Sequence, residues 1–195
     1  MLKSPIHHSE NTLSRTFRSL MARGLLLHNP NCSKSRGALS LLREAGAAFD
    51  IREYISHPLS LPELRQLGSK LRQPPRMWSR SEEQWEDRLA ASEESAYAAL
   101  AEAPQLMQRP IFIRGPWALV CRPPDLVLSL LGDDLPTDTS TPPEWREVYR
   151  VDTHGVEERV VMVPSPQGAK LLVDHFEAKE QHQGFFVREV SMAEG

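Results

Sequence analysis

Cysteine is scarce in this chain, with two in 195 residues, and that excludes a disulfide scaffold. A reducing compartment follows, and the cytoplasm is the expected location. A basic excess is missing as well. The net charge of −3 offers no electrostatic footprint for nucleic acid. No apolar run approaches the roughly 18 residues that a membrane span requires, so no membrane association is expected. Internal repeats are absent, and no residue spacing calls for a metal. The 40% apolar and 25% charged residues that remain are ordinary for a globular protein.

The informative stretch is 25–46, LLLHNPNCSKSRGALSLLREAG. Leu25, Leu26 and Leu27 make a run too short for anything but a buried strand. His28-Asn29-Pro30-Asn31 is a turn. Ala38, Leu41, Leu42 and Ala45 then recur at the spacing of one helix face, and Gly46 is the stop signal. Cys32 falls where strand hands over to helix. Unpaired backbone N–H groups and the positive end of the helix dipole stabilise a thiolate there. Such an environment draws a cysteine pKa from about 8.5 to about 3.5–7.5.

Around this unit, residues 47–56 read as a second strand with Phe49, Ile51 and Tyr54 facing inward. Ser60, Pro62 and Glu63 carry the cap, first-turn proline and capping-box signals of a helix running to Arg72. A charge-rich helical stretch is predicted from Met77 to Ala103, with Trp78, Trp85 and Leu89 in the core. Pro110–Ile113 and Trp117–Cys121 form a hairpin around Arg114-Gly115-Pro116. A last helix spans Asp125 to Leu131. The order β-α-β, helices, β-β-α is that of an α/β thioredoxin-like fold with a helical insertion.

Flanking segments complete the chain. Residues 1–24 are basic and poor in acid, which fits an organelle transit segment, a disordered tail, a short docked helix, or a start codon upstream of Met21. His7 and His8 read as solvated tail residues. Residues 132–143 are acidic and rich in Pro and Thr, a linker pattern. Residues 144–195 read as a small ββαβ extension: a hairpin, a helix capped by Ser165-Pro166 with Ala169, Leu172, Val173 and Phe176 on one face, and a strand at Phe185–Val190. At about 50 residues it is small for independent stability, so it packs on the first domain or on another subunit.

Three motifs carry a resemblance. His28-Asn29-Pro30-Asn31-Cys32-Ser33-Lys34-Ser35-Arg36 resembles the HNPxCxxSR signature of the glutaredoxin-coupled arsenate reductases. Gln108-Arg109-Pro110-Ile111 is similar to their NRPI, and Leu119-Val120-Cys121-Arg122-Pro123-Pro124 to their LCRPP. The resemblance covers residues 25–131. It implies that Cys32 is the nucleophile, with Ser35 donating to its thiolate and His28 tuning it. Arg109 and Arg122 would clamp the oxyanion, since planar, always-charged, bidentate donors suit a tetrahedral anion. Pro110 would be the cis proline beside the thiol. Arg36 either adds positive field or pairs with Glu63 or another surface acid. Cys121 reads as a small buried hydrophobe, with a disulfide to Cys32 as the alternative.

The implied activity is reduction of arsenate, with glutathione as co-substrate, glutaredoxin as partner and no tightly bound cofactor. One departure stands out. The family shows an arginine where this chain has Leu61, and losing one donor from an oxyanion site costs about 3–4 kcal/mol of transition-state stabilisation. Arg65, one turn on, is the candidate replacement. Two other readings stay open. One is a thiol- or glutathione-dependent reductase that has lost arsenate. The other is a Spx-like regulatory protein that binds RNA polymerase, although Cys32-Ser33-Lys34-Ser35 lacks the second cysteine such sensors carry. Oligomeric state is not fixed by any of these features.

Overall fold

The computed structural model describes residues 23–138, 140, 143–179 and 184–190. The expectations for residues 1–22 lie outside them. The first strand, β1 (Gly24–His28), leads into helix α1 (Ser33–Glu44), and β2 (Phe49–Glu53) returns parallel to β1. Helix α2 (Leu61–Leu71) precedes an insertion that contains α3 (Glu86–Ala91) and α4 (Glu93–Glu102). The hairpin β3 (Ile111–Arg114) and β4 (Trp117–Val120) completes a four-stranded sheet of order β2-β1-β3-β4, with β3 antiparallel to β1. This is the thioredoxin-like arrangement expected from the element order.

The period-two pattern of the strands divides the core. Leu27 and Ile111, with Leu25, Ile113, Ala118 and Val120, pack on one side against Leu64 and Leu67 of α2 and Leu100 of α4. Leu26 and Phe112 face the other way, onto Ala38 and Leu42 of α1. Gly24 must be glycine for this packing, because a Cβ there would fall 2.4 Å from the Phe112 ring.

Several elements depart from their predicted form. The second strand is Phe49–Glu53 only, and as β2 lies at the sheet edge, Ile51 is 43% exposed; Tyr54 is fully buried. Ala45 is the C-cap of α1 and lies exposed beyond its buried face. The stretch from Met77 to Ala103 is broken: short 3-10 turns span Pro75–Trp78 and Glu83–Trp85, and Ser92 caps α4 by accepting from the Ser95 N–H. Serine competes with helical backbone bonding in this way, which is why it ends one helix and starts another. Trp78 and Leu89 are buried, and Trp85 packs against the same cluster.

The predicted last helix is a 3-10 helix, Pro124–Leu130, whose residues from Asp125 onward are all buried. The reason lies in the extension, which covers its outer side. Strands β5 (Arg146–Val151) and β6 (Glu157–Val163), helix α5 (Pro166–Lys179) and strand β7 (Gly184–Glu189) form an antiparallel sheet of order β6-β5-β7 with α5 packed on it. Val148, Leu172, Phe176 and Phe185 share one hydrophobic cluster with Leu126, Val127 and Leu130. At the contact, α5 comes so close that a Cβ on Gly168 would lie 1.9 Å from the Ser129 carbonyl oxygen. Asp125 is bound by His175 Nε2 and Lys179 Nζ, each at 2.8 Å.

Candidate active site

The strand register brings the sequence motifs to one end of the first sheet. His28 ends β1 beside Glu53, Leu27 pairs with Ile111, and Ile111 pairs with Val120. The segments just beyond those positions therefore meet: the Cys32 turn, Arg109-Pro110 and Cys121-Arg122. The Cys121 N–H donates to the Pro110 carbonyl at 2.8 Å and joins the last two. The Arg109–Pro110 and Arg122–Pro123 peptides are both cis.

Cys32 is the N-cap of α1, in extended backbone conformation and half-buried. Its own N–H donates to the Asn29 carbonyl at 3.0 Å, which closes the turn. No acid occupies the first turn of α1 to oppose a negative charge. Burial pushes the Cys32 thiol up. The backbone N–H groups of Ser35 and Lys34, the Ser35 hydroxyl and the Arg109 guanidinium pull the other way and win, so its pKa lies below the ordinary value.

Ser35 Oγ, His28 Nδ1 and the Tyr54 hydroxyl are buried at this end of the sheet; the Ser35 hydroxyl serves the Cys32 sulfur and the Tyr54 hydroxyl lies within reach of the Asn29 side chain. The Ser35 proton is free for the thiolate. Burial lowers the His28 pKa, against the opposing charge of Glu53. Burial raises the Tyr54 pKa, while the charge on Arg109 and the Asn29 side chain work against it.

Arg109 is held by the carbonyls of Gln105 at 2.9 Å and Met107 at 3.4 Å, with no carboxylate partner among the described residues. That leaves its charge for the sulfur and an incoming anion. Arg122 sits further along the rim, donating to Gln108 Oε1 at 3.1 Å. It lines an open cleft of about 530 Å³ with Met77, Arg80, Ser81, Gln108 and Val120.

Other predicted residues lie elsewhere. Arg36 does not pair with Glu63. It donates to the Pro30 carbonyl at 2.8 Å and staples the turn before Cys32. Glu63 is engaged by Arg52 and by Ser60, which hold its carboxyl down at about 2. Arg65 is paired with Glu94, so it does not supply the donor missing at Leu61, and Leu61 itself packs against the α2-side core. Cys121 is fully buried with its thiol on the Leu119 carbonyl, pushed up to about 12 by burial, and both cysteines are free.

The ArsC family profile matches residues 27–130, just over half of the chain. The chain belongs to the ArsC family. Among relatives, it is 35% identical over 116 residues to the arsenate reductase of Haemophilus influenzae, covering 55% of this chain and 97% of that protein. Among solved structures, it matches the arsenate reductase from Vibrio cholerae with a TM-score of 0.51 and 34% identity, covering 55% of this chain and 96% of that one. A putative arsenate reductase from Yersinia pestis gives a TM-score of 0.50 at 31% identity, covering 54% and 97%. These ArsC proteins are spent almost entirely on the first part of this chain, so the β5–β7 extension lies outside the likeness.

Two residues at this end of the molecule escape sequence reasoning. Tyr54 reads as an ordinary inward aromatic; its position immediately after β2, level with the end of β1, is the signal that it lies at the active end. Arg80 lies in the insertion, where its charge is one of many. Backbone bonds bring it in: Arg80 N–H to the Leu106 carbonyl at 2.6 Å and Gln108 N–H to the Trp78 carbonyl at 2.9 Å tie the insertion to the approach of β3.

Proposed function

We propose that the protein is a thiol-based arsenate reductase in which Cys32 is the nucleophile. The observation that carries this reading is the sulfur at the start of α1, faced by two backbone N–H groups, the Ser35 hydroxyl and Arg109. The Cys32 thiolate attacks arsenic(V); an arsenic-bound hydroxyl takes up a proton from solvent as its As–O bond breaks and leaves as water, giving a sulfur–arsenic adduct. Arg109 and Arg122 neutralise the oxyanion as it approaches and as its charge redistributes. A glutathione thiolate then attacks Cys32 Sγ. The new S–S bond forms as the S–As bond breaks, its electron pair leaves with arsenic, and arsenic(V) becomes arsenic(III). Glutaredoxin reduces the mixed disulfide and restores the thiol. The electrons pass through sulfur alone, so the chemistry draws on no bound cofactor, and a reducing cytoplasm suits it.

The test is NADPH consumption coupled through glutathione and glutaredoxin and dependent on arsenate. Turnover in the wild type and none in Cys32→Ser is expected. Unchanged turnover in Cys32→Ser would reject the reading. Leu61 packed against the core and Arg65 on Glu94 favour a second reading, a related reductase without arsenate as substrate. Thiol transfer at Cys32 without arsenate turnover would select it.

A further inference from the structure

The cleft beside the thiol has chemistry of its own. Gln108 directly precedes Arg109, so the cleft opens one residue from the guanidinium that faces the sulfur. Its amide is fixed at both ends: Oε1 accepts from Arg122 at 3.1 Å and Nε2 donates to the Ser79 carbonyl at 3.3 Å. Arg122 thus has a neutral partner and keeps its full charge. Arg80 stands in the same cleft, its one acid, Glu82, at a loose 3.8 Å. Met77, 67% exposed, and Val120 give the cleft an apolar side. Arg80 and Cys32 both act on Tyr54, which puts the cleft on the thiol's side of the molecule, while Arg80 is not among the groups that set the Cys32 thiol.

The Arg80 guanidinium, in a cleft with an amide on its rim and an aliphatic flank, matches a small molecule that carries a carboxylate, peptide groups and a short aliphatic chain. An inorganic oxyanion fills far less than 530 Å³. We propose that Arg80, with the Gln108 amide and the Met77 and Val120 flank beside it in the cleft, forms a carboxylate subsite that orients the reducing thiol, a glutathione-class peptide, toward the sulfur of Cys32, while Arg122 stays with the oxyanion. This rests on the thiol chemistry proposed above and adds to it a binding residue, Arg80. A carboxylate anchored on the rim presents its thiol along the open side of the sulfur, whereas an uncharged thiol must find that approach unaided.

The test uses the full chain without arsenate. Cys32 thiolate attacks glutathione disulfide, Cys32 becomes glutathionylated and one glutathione thiolate leaves; mass spectrometry follows the rate. The neutral bis(2-hydroxyethyl) disulfide serves as the control. Arg80→Met is expected to slow the reaction with glutathione disulfide about tenfold, the worth of one charge-assisted bond, and to leave the neutral disulfide unchanged. Arg80→Lys should recover part of the rate. In the wild type, esterifying the carboxylates of glutathione disulfide should slow it by a similar factor, a measurement that needs no variant to fold. Equal slowing of both disulfides by Arg80→Met, no slowing of either, or indifference to esterification would each overturn the subsite. Absence of arsenate turnover in the wild type would instead refute the arsenate reading and leave these outcomes readable.

Discussion

At the scale of single residues, Cys32 is governed by a contest that local groups win. Burial favours the thiol, and three kinds of donor favour the thiolate. Removing one of them shifts the balance by a definite sign. Ser35→Ala should move the midpoint of Cys32 alkylation upward in pH, because a donor to the charged form is lost. Arg109→Ala should do the same and also reduce arsenate turnover by roughly 10²–10³-fold, the cost seen when one donor leaves an oxyanion site. Cys121 makes the contrast. The same atom type in a fully buried hairpin end is pushed up to about 12, so alkylation of the folded protein should label Cys32 alone. The motif around Cys32 was legible in sequence because its determinants are local. Arg36 and Arg65 were not, since a surface guanidinium takes whichever carbonyl or carboxylate the fold brings near, here Pro30 and Glu94.

At the scale of elements, helix α2 shows how a local signal holds. Ser60 and Glu63 form the capping box that the sequence announces, and Arg52 from β2 adds a bridge to Glu63. Arg52 also donates to the His57 carbonyl at 2.9 Å, so strand, turn and helix start share one guanidinium. Glu63→Ala should lower Tm by a few degrees at pH 7, as expected for a lost cap worth about 1 kcal/mol. The folded pKa of Glu63 is depressed from 4.5 to about 2, so its contribution is complete above pH 4.5 and is lost as pH falls toward 2. The gap in Tm between wild type and variant should therefore close over that window; a constant gap would show that the charge is immaterial. The insertion was less legible. It reads as one charge-rich helical stretch from Met77 to Ala103, yet a 3-10 turn at Glu83–Trp85 and the cap at Ser92 divide it into short pieces.

At the scale of the whole molecule, the extension and the family domain share one core. The acids and prolines of 132–143 read as a linker, and the strands and helix beyond it read correctly in type. Their docking could not be read, because its determinants are far apart in sequence: Asp125 and Lys179 lie 54 residues from each other. The buried Asp125 carboxylate, bonded to His175 and Lys179 of α5, holds the extension over the 3-10 helix, where Gly168 lets the backbones meet. Gly168→Ala should destabilise the protein by about 1–3 kcal/mol or more, because the nearest atom is backbone and cannot turn aside. Thermal unfolding checks it, and a neutral result would mean that the two layers are not in register as described. A chain ending at Leu131 would expose Val127, Leu128 and Leu130. It should bind a hydrophobic dye and aggregate where the full chain does not.

The pH dependence of Cys32 alkylation, with and without arsenate, is the most direct measurement of a sulfur kept ionised by its helix and served by guanidinium donors. An inflection well below about 8.5 is expected, with arsenate slowing the reaction in the wild type and failing to do so in Arg109→Ala. An inflection at or above 8.5, together with indifference to arsenate, would contradict it.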